Sequence, residues 1–537
     1  MNGSIYPSRQ SSTQADRSGS TRLTINGGTT PIVKIKFLLA TLILLLLPQS
    51  LLASGMSLNV GAKASALGGA FRGLADDWSA AWWNPAGLAY LQKSEANSML
   101  SVIVPRQKYE PNLRLSNGSE LGYRNDQDRF PDDRIFYYPN FSTFYKFQGA
   151  GGFTAGMAFF LPYGLGSKWD LFDPLPGYND VDTFPYARID HEASFTVLDF
   201  HPSLAKEVVK DKLALGLGLA IQKSDFTWRR PNFIQTTLLP IASMYQQPGN
   251  VPRPYDNIIM DSRMEFNGWG VGVNLGVMYQ LSPKVKLGGS YRSPVDIKLT
   301  GHNRMSVYFP NNSQIVADDR TAEPFFSGKT AQTSPEVKTT LKLPAELGAG
   351  FAYHPSEKFT LMADIAWTGW SRMKILDLSY SSRQQWISPA GDTLEHGLNP
   401  IRSPGDTTFN GTPFYGTPAD SAIVFNWKDV TRFSVGAEYH FRERWIARAG
   451  YYHDPTAIPD QSLNPLVLDF ADKNSLNFGF IYKVNVYEVG YNIEYINYDN
   501  REITQIQDVN GDGTFDNFPG NYSAAQYRSF FYFTYRF

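Results

Sequence analysis

The sequence predicts an all-β chain: a transmembrane antiparallel β-barrel of about 14 strands, with an N-terminal hatch plugging the lumen. Three observations lead there. Strand-like segments put bulky apolar residues on one face and glycine or polar residues on the other. The connections between them alternate between long and tight. A compact Gly/Ala/Trp-rich stretch stands before the first strand, and it has no apolar face wide enough to fold alone.

The alternation is clearest in 269–279 and 486–496. In the first, Trp269, Val271, Val273, Leu275, Val277 and Tyr279 share a face, opposite Gly270, Gly272, Asn274 and Gly276. In the second, Tyr487, Val489, Tyr491, Ile493 and Tyr495 alternate with Glu488, Gly490, Asn492 and Glu494. Period-2 patterning of this kind marks strands. An apolar face repeated on nearly every strand fits lipid outside and a filled or wet lumen, rather than a soluble sandwich. Strands are expected near 95–107, 135–147, 151–166, 190–208, 212–230, 262–281, 284–300, 338–355, 358–378, 421–441, 444–454, 473–483, 485–499 and 524–537. Gaps after the odd strands are long, such as 231–261 and 379–420. Gaps after the even strands are tight, such as Gln148-Gly149-Ala150 and Ser282-Pro283-Lys284. Short turns opposite long loops, with an even strand count, are the pattern of bacterial outer-membrane barrels. The aromatic C-terminus Tyr532–Phe537 resembles the terminal strand by which such proteins are recognised for insertion by the barrel-assembly machinery.

Composition agrees. Aromatic residues make up 14% of the 537 residues, with 30 Tyr and 36 Phe, as barrels ringed by aromatic girdles require. Only one long apolar run exists, so a bundle of membrane helices is excluded. The 49 Lys plus Arg and 50 Asp plus Glu nearly cancel, which gives no basic footprint for nucleic acid. The absence of cysteine removes disulfides, thiolate catalysis and a lipoprotein anchor. The apolar run Phe37–Leu47, flanked by Lys34 and Lys36 and by small residues to Ala53, reads as a signal peptide over 34–53, too short for an anchor. Residues 1–33 are read as a disordered or mis-assigned extension, residues 54–94 as the hatch and 95–537 as the barrel.

Within the hatch, Asn84-Pro85-Ala86 is a turn signal, since Asn caps locally and Pro fixes φ. Trp78, Trp82 and Trp83 supply apolar area for packing against the lumen. Asp76 and Asp77 are expected to bond lumen arginines or backbone groups, because unpaired buried carboxylates are costly. In 151–166, Pro162 removes a ladder donor and Gly164, after Tyr163, permits a bulge, so strand pairing should break there. No catalytic constellation stands out: the seven histidines show no metal spacing and no G-x-S-x-G elbow appears, which points to a non-enzyme.

The motifs GLADD…WNPAGL (73–88), LPYGLGSKW (161–169), LSPKVKLGGSYRSPVDIKLTG (281–301), LPAELGAGFAYHP (343–355), DIAWTGWSRM (364–373) and RAGYYHDPTAIPD (448–460) occur in an order that resembles the FadL/TodX family of outer-membrane transporters. The resemblance covers most of 56–537. It implies diffusion of long-chain fatty acids or aromatic hydrocarbons through a plugged barrel, with no required cofactor. It implies that Pro162, Tyr163 and Gly164 mark an inward kink that opens the wall sideways to membrane lipid. It also places Arg230, with Arg229 beside it, near a carboxylate-binding site; the alternative is a solvated arginine pair at the base of a loop. A general porin, or a structural or adhesive barrel working through its long loops, is the rival reading. The chain is expected to be monomeric.

One further motif is local. Asp508, Asn510, Asp512 and Asp516 hold oxygen positions of an EF-hand-like calcium loop, but Pro519 replaces the bidentate acid, so calcium and a plain Asx-rich turn both fit.

Overall fold

The computed structural model describes residues 60–537, except 115–119, 133–134, 149–151, 175–185, 187, 236–256, 327, 329, 381–385, 388–392, 395–407, 410–411, 414–420, 468 and 512–514. The expected extension (1–33), signal peptide (34–53) and first residues of the hatch lie outside the described residues.

Fourteen antiparallel strands close into a barrel. They are β1 (Glu95–Pro111), β2 (Phe136–Phe147), β3 (Phe153–Trp169), β4 (His191–Val209), β5 (Leu213–Gln235), β6 (Asn257–Ser282), β7 (Val285–Arg292 and Val295–Tyr308) and β8 (Glu336–Leu343 and Glu346–Ser356). The series continues with β9 (Phe359–Thr368 and Ile375–Tyr380), β10 (Ser421–Val424 and Val430–Arg442), β11 (Trp445–Asp454), β12 (Lys473–Val484), β13 (Tyr487–Tyr498) and β14 (Gly520–Arg536). Each strand pairs with the next, and β1 pairs with β14 along its whole length, from Glu95↔Arg536 to Pro111↔Gly520. Closure removes the unpaired edge that an open sheet would present to lipid.

Polarity is inverted relative to a soluble protein. Along β13 every second residue is exposed, and the exposed set is Tyr487, Val489, Tyr491, Ile493, Tyr495 and, at the loop end, Asn497. Its buried set includes Glu488, Asn492 and Glu494. Apolar side chains face outward to lipid and polar ones face inward, as the sequence period requires. Tight turns use residues that tolerate positive φ, Asp211 at β4–β5 and Asn485 at β12–β13. On the long-loop side the β5–β6 hairpin pairs from Leu213↔Tyr279 to Gln235↔Asn257. That is 23 residues on β5, about 76 Å at 3.3 Å per residue. The apolar band of such barrels is only about 25 Å tall. The hairpin therefore stands well beyond the membrane, which is why its ends overrun the expected limits at 230 and 262.

Four neighbouring strands, β7 to β10, are broken where the sequence suggested continuity. Ser293-Pro294 interrupts β7 and Pro344-Ala345 interrupts β8; a proline cannot donate to the ladder. A 3-10 turn at Trp370–Arg372 interrupts β9, and Phe425–Asp429 interrupts β10. These breaks turn Trp370 and Trp427 inward, where their rings meet edge to face at 5.1 Å.

Before β1, residues 60–91 form two short helices, α1 (Ala62–Ala66) and α2 (Ala80–Trp83), and a 3-10 turn (Pro85–Tyr90). The segment is almost wholly buried. It packs against the inward faces of strands on opposite sides of the barrel, α1 against β11 to β13 and the 3-10 turn against β4 to β6.

Candidate functional site

The N-terminal segment is fitted to the wall by backbone proximity and by a buried polar net. Inward-facing glycines make the proximity possible. A Cβ at Gly216 of β5 would collide with the Pro85 carbonyl, at Gly288 of β7 with the Arg72 carbonyl, and at Gly450 of β11 with Leu67 and Gly68. The glycine face of the alternating strands is thus room for a second chain segment.

Arg72 is the centre of the net and is 1% exposed. Its backbone N–H donates to Asp364 Oδ2 of β9 at 2.9 Å, its Nε to Ser290 Oγ of β7 at 3.0 Å, and its Nη2 to Glu346 of β8. Glu346 also binds Arg292 of β7 at 2.5 Å. The Asn84 amide donates to the Arg72 carbonyl at 3.0 Å and to Val277 of β6 at 3.1 Å, while its oxygen accepts from Ala86 at 3.3 Å. Asn274 of β6 donates to the carbonyls of Ala81 and Trp82. Buried networks of this kind hold a unique arrangement, since each lost partner strands a desolvated group.

The expected hatch residues occupy this interface. Asn84 caps the turn that Pro85 and Ala86 open, and Trp78, Trp82 and Trp83 are all buried. Asp76 departs from expectation, while Asp77 bonds a backbone group. Asp76 pairs with Lys63 of the same segment at 2.7 Å, not with an arginine of the wall. Lys63 also reaches Glu438 of β10 at 3.3 Å. Burial alone would lower the Lys63 ammonium, but the Asp76 and Glu438 carboxylates outweigh it and hold it above its ordinary value. Asp77 accepts from the N–H and Oγ of Ser79. Burial pushes its carboxyl up to about 6.

Pro162, Tyr163 and Gly164 fall where the β3 ladder is disturbed. β2 and β3 pair from Phe147↔Phe153 only to Phe141↔Phe159. Toward β4 the register shifts between Phe160 and Tyr163, so Leu161 and Pro162 form a bulge. Beyond it β3 continues along β4 but not along β2, and Leu161 to Gly164 are all buried. Phe160 stacks on Trp78 at 5.9 Å, and Tyr163 meets Trp82 at 6.2 Å and Trp370 at 6.3 Å. Leu161 turns the other way. With Ile103, Phe136, Tyr138 and Leu198 it forms a small apolar cluster separate from the main core, filling the seam that β3 leaves beside β2.

A pocket opens above the N-terminal segment, holding about 50 Å³. Trp82, Tyr163, Trp370 and Trp427 supply its aromatic wall; Arg72, Arg292, Arg432 and Lys473 its cations. The guanidinium of Arg292 lies over the Trp82 ring at 3.8 Å, a cation–π contact. Tyr163 lines this pocket and directly follows the bulge, so the pocket and the seam are adjacent.

The structure does not bring Arg229 and Arg230 into this pocket. Arg229 forms a bidentate pair with Asp261 across the β5–β6 hairpin, at 3.0 and 2.5 Å. Arg230 donates to the Phe515 carbonyl at 3.0 Å and lies over its ring. Both serve the outer loops. The pocket cations were missed, although Arg432 stands on the inward parity of its strand, opposite Phe433 and Val435. In the last loop, Asp508 accepts from Gly511 N–H at 2.7 Å and Asp516 from Val509 N–H at 2.8 Å. Asp512 lies outside the described residues, and among the described residues no cluster of three or more acidic or histidine side chains could hold a metal.

A closed barrel, lipid-facing outside and filled within, defines an integral protein of the outer membrane. The profile of the family described as "Outer membrane protein transport protein (OMPP1/FadL/TodX)" matches residues 44–537. The chain belongs to that family. It is similar to a 47 kDa outer membrane protein of Pasteurella multocida, 24% identical over 75% of this chain and 91% of that one. It also matches a long-chain fatty acid transport protein of Escherichia coli O157:H7, 22% identical over 41% and 40% of the two chains. Among solved structures, a Pseudomonas aeruginosa FadL homologue superposes with a TM-score of 0.65 at 16% identity, covering 90% of this chain and all of the other. The Pseudomonas putida toluene transporter TodX gives 0.59 at 16% identity, covering 91% and 100%.

Proposed function

We propose that this protein passes hydrophobic small molecules, fatty acids or aromatic hydrocarbons, across the outer membrane by diffusion, and releases them sideways into the bilayer. Residues 60–91 act as the hatch that denies an axial path. The solute enters among the long loops, reaches the aromatic pocket above Trp82, displaces the Tyr163 and Leu161 side chains and leaves between β2 and β3. Leu161 and Pro162 hold the bulge that makes this exit, and Gly164 continues the ladder to Thr196 just beyond it. No chemical step is assigned to the barrel, and relatives of the family are described as transport proteins.

The observation that supports this reading is the coincidence of three features at one height: the end of the β2–β3 ladder, the β3 bulge and the adjacent pocket. Lipid would not tolerate unpaired backbone at the seam unless side chains covered it, and the Leu161 cluster is such a cover. Uptake of labelled oleate and of toluene into cells lacking their own transporter tests the proposal, comparing wild type with Gly164→Arg. Transport by wild type and loss in a normally inserted variant supports lateral exit. Equal uptake by both refutes it.

A further inference from the structure

The pocket carries as many carboxylates as cations, four against four, and nearly every charge is already matched. Glu346 holds Arg72 and Arg292 together. Asp364 takes the other face of Arg72. Lys473 sits between Asp454 at 3.1 Å and Asp469 at 3.0 Å. Arg432 donates to the Gly68 carbonyl at 2.9 Å and lies over the Tyr452 ring at 3.7 Å. A fatty-acid carboxylate entering here would lose its hydration without finding a cation that is not already engaged. That is the unfavourable case for a buried charge. An uncharged aromatic solute meets the opposite situation. The pocket offers it the faces and edges of Trp82, Trp370, Trp427 and Tyr163, and ring stacking asks for no counter-ion.

We infer that Glu346, by occupying Arg72 and Arg292, makes this pocket selective for uncharged aromatic solutes over fatty carboxylates. The inference rests on the transport reading and assigns that site its substrate class and one specificity-determining residue. Glu346 opens the second half of β8, immediately after the Pro344-Ala345 break. The break therefore places the carboxylate at the pocket floor. Replacing it by glutamine keeps its size and one hydrogen-bond acceptor, but leaves two arginines with a net positive charge that a ligand carboxylate can satisfy bidentately.

The test is equilibrium binding to the purified full-length protein in neutral-detergent micelles at pH 8, read from tryptophan fluorescence. Naphthalene, laurate and dodecanol are compared; the last two share a twelve-carbon chain and differ in the head, a carboxylate against an uncharged hydroxyl. The expected result is naphthalene binding at least about tenfold more tightly than laurate, and dodecanol also above laurate. In Glu346→Gln, laurate affinity should rise by about tenfold while naphthalene is little changed. Should that variant fail to fold, the wild-type order of the three ligands decides alone. Laurate binding as tightly as either uncharged ligand, a folded variant with unchanged laurate affinity, or no binding of naphthalene would overturn the inference. Cells that take up neither naphthalene nor laurate would instead refute transport, a failure distinct from any outcome of the binding order.

Discussion

The contacts that hold residues 60–91 inside the barrel and the seam between β2 and β3 are built on opposite principles. In those contacts, at β5 to β9 and again at β11 and β12, glycines bring backbone against backbone, and the charged net of Arg72, Glu346 and Asp364 leaves little freedom. At the seam the ladder stops at Phe141↔Phe159, and the gap is covered by five apolar side chains that share no hydrogen bond across it. Main-chain ladders and buried ion pairs have directional geometry and resist partial opening. An apolar cluster loses little when one side chain rotates away and a hydrophobic solute takes its place. On the proposed reading, residues 60–91 stay fixed where they are charged, and the wall opens where it is apolar.

Four changes would break or sharpen this contrast. The largest effect is expected from Arg72→Ala. It leaves Glu346 and Asp364 short of their partner in a buried site, which costs about 3–5 kcal/mol. Thermal unfolding in detergent should fall accordingly, and planar bilayers should show a steady ion leak absent from wild type. Next is Gly288→Leu, which forces the Arg72 carbonyl away from β7. Overpacking of this kind costs about 1–3 kcal/mol, and the variant should become sensitive to protease around α2 while the barrel still inserts. At the seam, Leu161→Ala should cost about 2 kcal/mol, the low end for a buried leucine, because lipid can refill the space. Uptake of hydrophobic solute should rise without any ion leak; a leak would mean that the seam, not the hatch, seals the barrel against ions.

The smallest effect concerns pH. The Asp77 carboxyl is raised from 3.8 to about 6 in the folded chain. Its folded value lies above its unfolded one, so the native state binds the proton more tightly. The associated stability is fully present below the unfolded value and is lost as pH rises through about 6. Asp77→Asn keeps an acceptor for Ser79 and removes the titration. Its melting temperature should vary less between pH 4 and 7 than that of wild type, by the Asp77 share alone.

The barrel was legible in the sequence because alternation and loop parity are local. The sides of β13 can be read from Tyr487 to Tyr495 without knowing its neighbours, and a long gap is long whatever its shape. Pro162 could be read because a missing donor is a property of the residue itself, whereas Gly164, read as permitting the bulge, pairs in register with Thr196. The breaks at Pro294 and Pro344 carried the same signal and were passed over inside otherwise apolar runs. The pocket was not legible. Arg72 meets Glu346 and Asp364 across separations of 274 and 292 residues, set only when the barrel closes. Arg229 misled for the related reason that its partner, Asp261, is fixed by hairpin register and not by proximity in sequence.

The central claim, that solute leaves through the wall and not past the hatch, can be tested by fixing the hatch in place. The chain contains no cysteine. A Cβ built on Gly479 of β12 lies 2.8 Å from the Cβ of Ala66 in α1. A small relaxation brings that pair to the roughly 3.5–4.5 Å that a disulfide requires. Uptake should be measured with the double variant Ala66→Cys/Gly479→Cys, oxidised and then reduced. The account predicts the same hydrophobic uptake in both states, since the seam is untouched by the tether. Uptake abolished on oxidation and restored on reduction would contradict it, and would place the route along the barrel axis.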